Sequence, residues 1–169
     1  SKNCAEWLLA DMAIAMAGLV SVPIYPTAGT ETIGYVLGHS GARVAIIGRL
    51  DDPDSVQAAL PGDIITVGLR YGVMDCQHDW QTLIDASDPI AKPHRPADSD
   101  MMTILYTSGS TGRPKGVVLS YAAYEYASKA TARTIGATAA DRAVSYLPLA
   151  HVTERTVIAG PAIYAGLHL

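Results

Sequence analysis

A chain of 169 residues can bury roughly two-thirds of its unfolded surface in one core, and 49% apolar against 17% charged residues, with no repeat or low-complexity tract, excludes disorder and solenoid folds. The net charge is −4 and the 12 Lys and Arg residues are scattered, so the basic stripe that a nucleic-acid partner requires is missing. Cys4 and Cys76 fit neither a disulfide framework nor a CxxC site and read as reduced thiols of a cytoplasmic protein, while five dispersed histidines without HExxH spacing predict no metal cage made only of protein ligands.

In chain order, Asn3 with Glu6 three residues later has the spacing of a capping box, opening a helix that runs to about Gly18. The apolar stretch over residues 7–24 is interrupted by Asp11, Gly18 and Pro23 and lacks a basic start. It therefore reads as a buried helix followed by a strand, "LVSVPIY", and not as a transmembrane span or signal peptide. Thr30 can cap a second helix ending near Gly41, and "RVAIIG" is a compact β-branched run suited to a central parallel strand. "DDPDSVQAALPG" places acids and Pro53 at a helix start and Gly62 after its end, "IITVG" supplies the next strand, and a short helix follows over 80–86.

Residues 87–99 hold three prolines and little that could join a core. They predict a surface linker between a first lobe, residues 1–86, and a second, residues 100–169; a long loop within one lobe is the other reading. Beyond it come a strand over 101–106, a glycine-rich loop, a strand over 117–120, a helix over 121–135 stopped by Gly136, a strand over 142–146, the turn "LPLAH", a helix over 152–165, and the start of a further strand at "LHL". Strands alternating with helices of this length predict an α/β fold of layered sheets flanked by helices.

The loop carries the chemistry. Residues 108–116, "SGSTGRPKG", contain three glycines, three hydroxyls, Arg113, Pro114 and Lys115, and no large apolar side chain. Glycines let the backbone form a nest of inward N–H groups, for which an anion, and phosphate best of all, is the natural occupant. Ser108, Ser110 and Thr111 add hydroxyl donors, and Arg113 and Lys115 add charge-assisted ones. The segment fails as a Walker A loop: counted from Gly109, Pro114 stands where the second glycine belongs, and Gly116 follows the lysine where a Ser or Thr should stand. The run after it is β-type, so the loop joins two strands and no helix dipole is aimed at the phosphate. The bland alternative is a solvated hairpin loop.

"YTSGSTGRPKG" resembles the signature loop of the adenylate-forming, AMP-binding superfamily of acyl-CoA synthetases, luciferases and peptide-synthetase adenylation domains. "YLPLAHVTER", residues 146–155, resembles a block of long-chain fatty acyl-CoA synthetases, and "VPIYPTAG" and "LGHSGARVAII" fit the same subfamily upstream. The resemblance implies part of the N-terminal domain of a ligase that activates a fatty carboxylate with ATP and Mg2+ as an acyl-adenylate, then passes the acyl group to coenzyme A. It implies Thr107 as magnesium contact, Ser108, Gly109, Ser110, Thr111, Gly112 and Lys115 around the β- and γ-phosphates, and His151 near the acyl and adenylate site. Lys115 and His151 are thus the candidate catalytic residues.

For Thr107 the alternative is a strand-end residue packed on one face, and for His151 a buried structural histidine. Glu154 and Arg155, at helical spacing, read as a surface pair. Tyr121 and Ala123 depart from the family's usual Ser/Thr-His-x-Asn positions. Its adenine-binding and ribose-binding blocks, hinge and C-terminal lysine have no counterpart here, so the chain is expected to be an excised piece, inactive alone, with an unpaired sheet edge and uncovered apolar surface through which it self-associates. The expected location is cytoplasmic, with peripheral contact at the inner membrane surface compatible. Competing readings are a carboxylic acid reductase or amino-acid-activating domain, a non-catalytic nucleotide-binding module and, last, a Rossmann-type dinucleotide domain.

Overall fold

The two β-branched runs pair side by side as parallel strands. In the computed structural model, which describes residues 1–107 and 112–169, β1 (Val44–Ile47) lies against β2 (Ile65–Gly68) with Val44 opposite Ile65, and β2 pairs with the two-residue β3 (His78–Asp79). Helices α1 (Ala5–Met16), α2 (Thr30–Ser40), α3 (Pro53–Ala59) and α4 (Trp80–Asp85) accompany this sheet. Ile33 and Leu37 of α2 meet Ile64 in a buried apolar cluster, onto which Ile24, Ala45, Val56 and Leu60 pack. Local chemistry sets two of the helix starts: the Asp52 carboxylate accepts the Ser55 N–H ahead of Pro53, and the Asp79 carboxylate accepts the Thr82 N–H.

A second sheet is an antiparallel ribbon of β4 (Met101–Thr107) and β5 (Lys115–Ser120), in register from Thr103 opposite Leu119 to Thr107 opposite Lys115. Helix α5 (Tyr121–Ile135) follows directly, its first turn capped by Ser120 Oγ accepting the Ala123 N–H at 3.2 Å, and it ends at Gly136 with φ of 64°. The intervening residues 87–99 form neither helix nor strand and are exposed except for half-buried Pro96, although the His94 N–H donates to the Met16 carbonyl at 2.8 Å. Among the described residues, no helix is long and apolar enough to cross a membrane.

Four local expectations are corrected. Asn3 and Glu6 make no capping box: Cys4 is the cap residue, and its side chain makes no capping bond. The Asn3 amide is drawn away to the turn near His151, and the Glu6 carboxylate goes to Arg70 and the Tyr71 hydroxyl at 2.6 and 2.9 Å. Thr30 does not cap α2, because its hydroxyl donates to the Ser55 carbonyl. "LVSVPIY" is not a full strand; Ser21 alone bridges β4 at Thr103, since Pro23 lacks an N–H with which to extend the ladder. Residues 142–146 likewise reduce to a bridge between Arg142 and His168.

The last helix also departs from plan. Its middle, Glu154–Ala159, is π-helical before α6 (Gly160–Ala165) resumes the α-helical path. Pro161 lacks the N–H that an uninterrupted α-helix would use there. Gly160 lies against Ser128 of α5 so closely that an added Cβ would collide with the serine side chain, which lets the two helices meet.

Candidate functional site

Directly opposed residues of an antiparallel pair project to the same face, their Cβ atoms about 4.5–5.5 Å apart. Thr107 ends β4 and Lys115 begins β5, and the two are opposed at the open end of the ribbon, both exposed. A hydroxyl and an ammonium group thus flank the mouth of the connecting loop on one face. Of the residues between them, Gly112 is exposed with φ of 92°, a left-handed conformation that suits glycine. Ser108, Gly109, Ser110 and Thr111, expected around the phosphates, lie outside the described residues.

The opposite face of β4 carries Tyr106 toward α2. Its hydroxyl is 2.7 Å from His39 Nδ1, and Tyr35 stacks on His39 with ring centroids 5.3 Å apart. Arg113 stands over the Tyr35 ring at 5.7 Å, so both sides of the loop touch one aromatic group on α2. Burial, with Tyr35 nearby, pushes the Tyr106 phenol up, which keeps it neutral. Gly116 makes this arrangement possible, because a Cβ there would lie 2.9 Å from Ile104 Cγ2 and 3.4 Å from the Tyr106 ring.

His151 closes the turn "LPLAH", and this turn is held from a distance. Asn3 Nδ2 donates to the Leu147 carbonyl at 2.7 Å and to Ser145 Oγ at 2.9 Å, while its Oδ1 accepts the Leu149 N–H at 2.9 Å. The half-buried His151 ring meets Tyr25 edge to face at 6.3 Å, and its Nδ1 accepts the Thr153 N–H at 3.1 Å. An accepting Nδ1 places the proton of the neutral ring on Nε2. Burial pushes the Tyr25 phenol up. Among the described residues, no hydrogen bond joins His151 to Thr107 or Lys115, so the candidate residues form two groups.

Glu154 and Arg155 are not a surface pair. Both are buried, 0% and 2% exposed, at the start of the π-helical stretch. Arg155 Nη1 donates to Thr103 Oγ1 at 2.7 Å and Nη2 to Asp11 Oδ2 at 2.5 Å, with Trp7 and Tyr124 rings alongside. Neither Glu154 carboxylate oxygen has a hydrogen-bond partner among the described residues. Asn3, Tyr35, His39, Asp11 and Thr103 carried no sequence signal of these contacts; the placement of Arg155 beside "LPLAH" was the one available hint.

The model of the AMP-binding enzyme family matches residues 1–169, the entire chain. This chain belongs to that family. Among curated relatives of this AMP-binding chain, it is 34% identical to fatty acyl-CoA synthetase A of Dictyostelium discoideum, covering 94% of this chain and 26% of that one. It is 32% identical to the long-chain-fatty-acid–CoA ligase FadD15 of Mycobacterium bovis, covering 90% and 27%. The chain thus spans about a quarter of the length of these relatives. Among solved structures, one from Rhodopseudomonas palustris assigned as a long-chain-fatty-acid CoA ligase superposes with a TM-score of 0.84 at 27% identity, covering 99% of this chain and 42% of that one. An anthranilate CoA ligase bound to anthranoyl-AMP superposes with a TM-score of 0.88 at 21% identity, covering 99% and 33%, a likeness of fold.

Proposed function

We propose that residues 1–169 form the phosphate-binding part of an ATP-dependent fatty acid–CoA ligase. The observation that carries this reading is the opposition of Thr107 and Lys115 across the mouth of the glycine- and hydroxyl-rich loop. A carboxylate oxygen attacks the α-phosphorus of ATP, the bond to the bridging oxygen breaks, and pyrophosphate leaves with the electron pair. Coenzyme A thiol then attacks the acyl carbon, loses its proton and expels AMP. Negative charge gathers on the departing pyrophosphate, and Lys115 with the loop N–H groups stabilises it more than it stabilises ground-state ATP.

The residues present fit a magnesium ion that arrives with the nucleotide. Among the described residues no three His, Cys, Asp or Glu side chains converge, whereas Thr107 offers one exposed hydroxyl beside the phosphate loop. Magnesium is commonly held by substrate phosphates and few protein ligands. His151, fixed by Thr153 and packed on Tyr25, serves to shape the acyl and adenylate pocket. The fatty-acid assignment is supported by the names of the relatives. A two-lobed division at residues 87–99 belongs to the same proposal, supported by the exposure of that segment.

The test is acid-dependent pyrophosphate release by the full-length enzyme across a ladder of carboxylic acids. Lys115→Ala is expected to lower turnover by about a hundredfold or more, with Thr107→Ala also impaired. Wild-type rates in both variants would refute the loop roles, and activity confined to short or aromatic acids would refute the fatty-acid assignment. Exposed Leu9, Leu19, Val118 and Val144 support self-association of residues 1–169 in isolation. Sedimentation as a strict monomer at high concentration would refute that.

A further inference from the structure

We propose that Arg155 is a positioning residue for adenylation, acting through Thr103 on the strand that carries Thr107. The inference rests on the phosphate-loop reading above and extends it to residues remote from the loop. Arg155 links four separate segments. Its guanidinium binds Asp11 on α1 and Thr103 on β4, its carbonyl accepts the Tyr124 hydroxyl of α5 at 3.1 Å, and its N–H donates to the His151 carbonyl at 3.2 Å. Thr103, 0% exposed, passes the contact on by donating to the Ser21 carbonyl at 2.9 Å.

Strand periodicity makes this link directional. Thr103 and Thr107 are four residues apart on β4, so they share a face and are separated by about 13 Å of stiff backbone. The face that Arg155 grips in the interior is therefore the face that emerges at Thr107 and Lys115. A slip of the strand by one residue would turn that face over. Hydrophobic replacements of buried ion pairs are often neutral or stabilising. The guanidinium is thus better explained by the angles it enforces between α1 and β4 than by stability, while its own backbone N–H continues the helix that starts at His151. Misplacing reacting groups by about 1 Å can cost a hundredfold in rate.

The experiment compares Thr103→Val, Thr103→Ser and Val36→Ala in the full-length enzyme, with wild type and Lys115→Ala alongside. Acid-dependent ATP–pyrophosphate exchange gives kcat and KM, and thermal melting gives stability. Val36 is 2% exposed on α2 and supplies the purely structural control. Thr103→Val is expected to lower kcat about tenfold or more with little change in KM for ATP, the signature of an interaction used in the transition state. Thr103→Ser should recover kcat to within about twofold by restoring the hydroxyl, and Val36→Ala should lower the melting temperature without lowering kcat.

Equal loss of kcat in Thr103→Val and Val36→Ala, retention of kcat in Thr103→Val, or failure of the serine variant to recover it would each overturn the proposal. If Thr103→Val does not fold, Arg155→Lys carries the same test, since a lysine keeps the charge for Asp11 but lacks the planar fork that spans both partners. Unchanged exchange in Lys115→Ala would instead refute the phosphate-loop reading, an outcome separate from those on Thr103.

Discussion

Around the parallel sheet, Ile33, Leu37 and Ile64 meet in an apolar cluster with Ala45, Val56 and Leu60 packed on it, whereas around the hairpin the buried side chains include Arg155, Glu154 and Thr103. Apolar packing is non-directional and tolerates repacking. A hydrogen-bonded guanidinium holds its partners at set angles. The parallel sheet is therefore packed mainly by the first means, and the hairpin, which also buries Leu105, is anchored in addition by the second.

The sharpest way to break this contrast is to damage each interior by a similar amount. Arg155→Ala, which removes a buried guanidinium and leaves half-buried Asp11 unpaired, is expected to cost about 3 kcal/mol. Leu37→Ala should cost about 2–5 kcal/mol through lost transfer energy and a cavity. Denaturant unfolding measures both, and exchange kinetics on the folded fraction should fall only in the first. Equal kinetic loss in the two would erase the distinction. A smaller effect is expected at Gly116→Ala, where the new methyl must displace Ile104 or Tyr106 at a cost of about 1–3 kcal/mol. Tyr106 fluorescence and KM for ATP should move together there, because the ring and the loop share the α2 contact.

The smallest effect separates the regions by pH. Hydrogen bonds from Ser55, Thr82 and Thr138 hold the carboxyls of Asp52, Asp79 and Asp141 below their usual value of 3.8. Folded-state values below the unfolded ones contribute stability that is fully present above about pH 4 and is lost as pH falls through the folded values. Two of these groups cap α3 and α4 beside the parallel sheet, and only Asp141 lies beyond the hairpin. Melting followed from pH 5 to pH 3 should therefore show the steeper loss near the parallel sheet, and Asp52→Asn with Asp79→Asn should flatten it.

What the sequence disclosed divides by the range of the signal. Helices α2, α3 and α5 and strands β1, β2, β4 and β5 were legible because their signals are local: β-branched runs, Asp52 ahead of Pro53, and Gly41 or Gly136 at a helix end. The two β-type runs predicted strands over 101–106 and 117–120, and the structure extends them to Thr107 and back to Lys115, so the opposition of these two residues lay beyond the local signal. Asn3 and Arg155 were misread for one reason: the partners of Asn3 lie 142 to 146 residues away in sequence and those of Arg155 lie 52 and 144 away, and a local pattern is blind to them. Asn3 had a local use as a helix cap, and three bonds to the His151 turn outweighed it.

The wide turn at Glu154–Ala159 bears on how this protein can change over time. A π turn differs from an α turn by one residue of chain, so losing a single codon within it would restore ordinary winding and rotate every preceding side chain by about 100° relative to those after it. Arg155 would swing away from Thr103 and Asp11 while the hairpin itself stayed intact. The length of this stretch is thus held fixed by the angular phase it imposes.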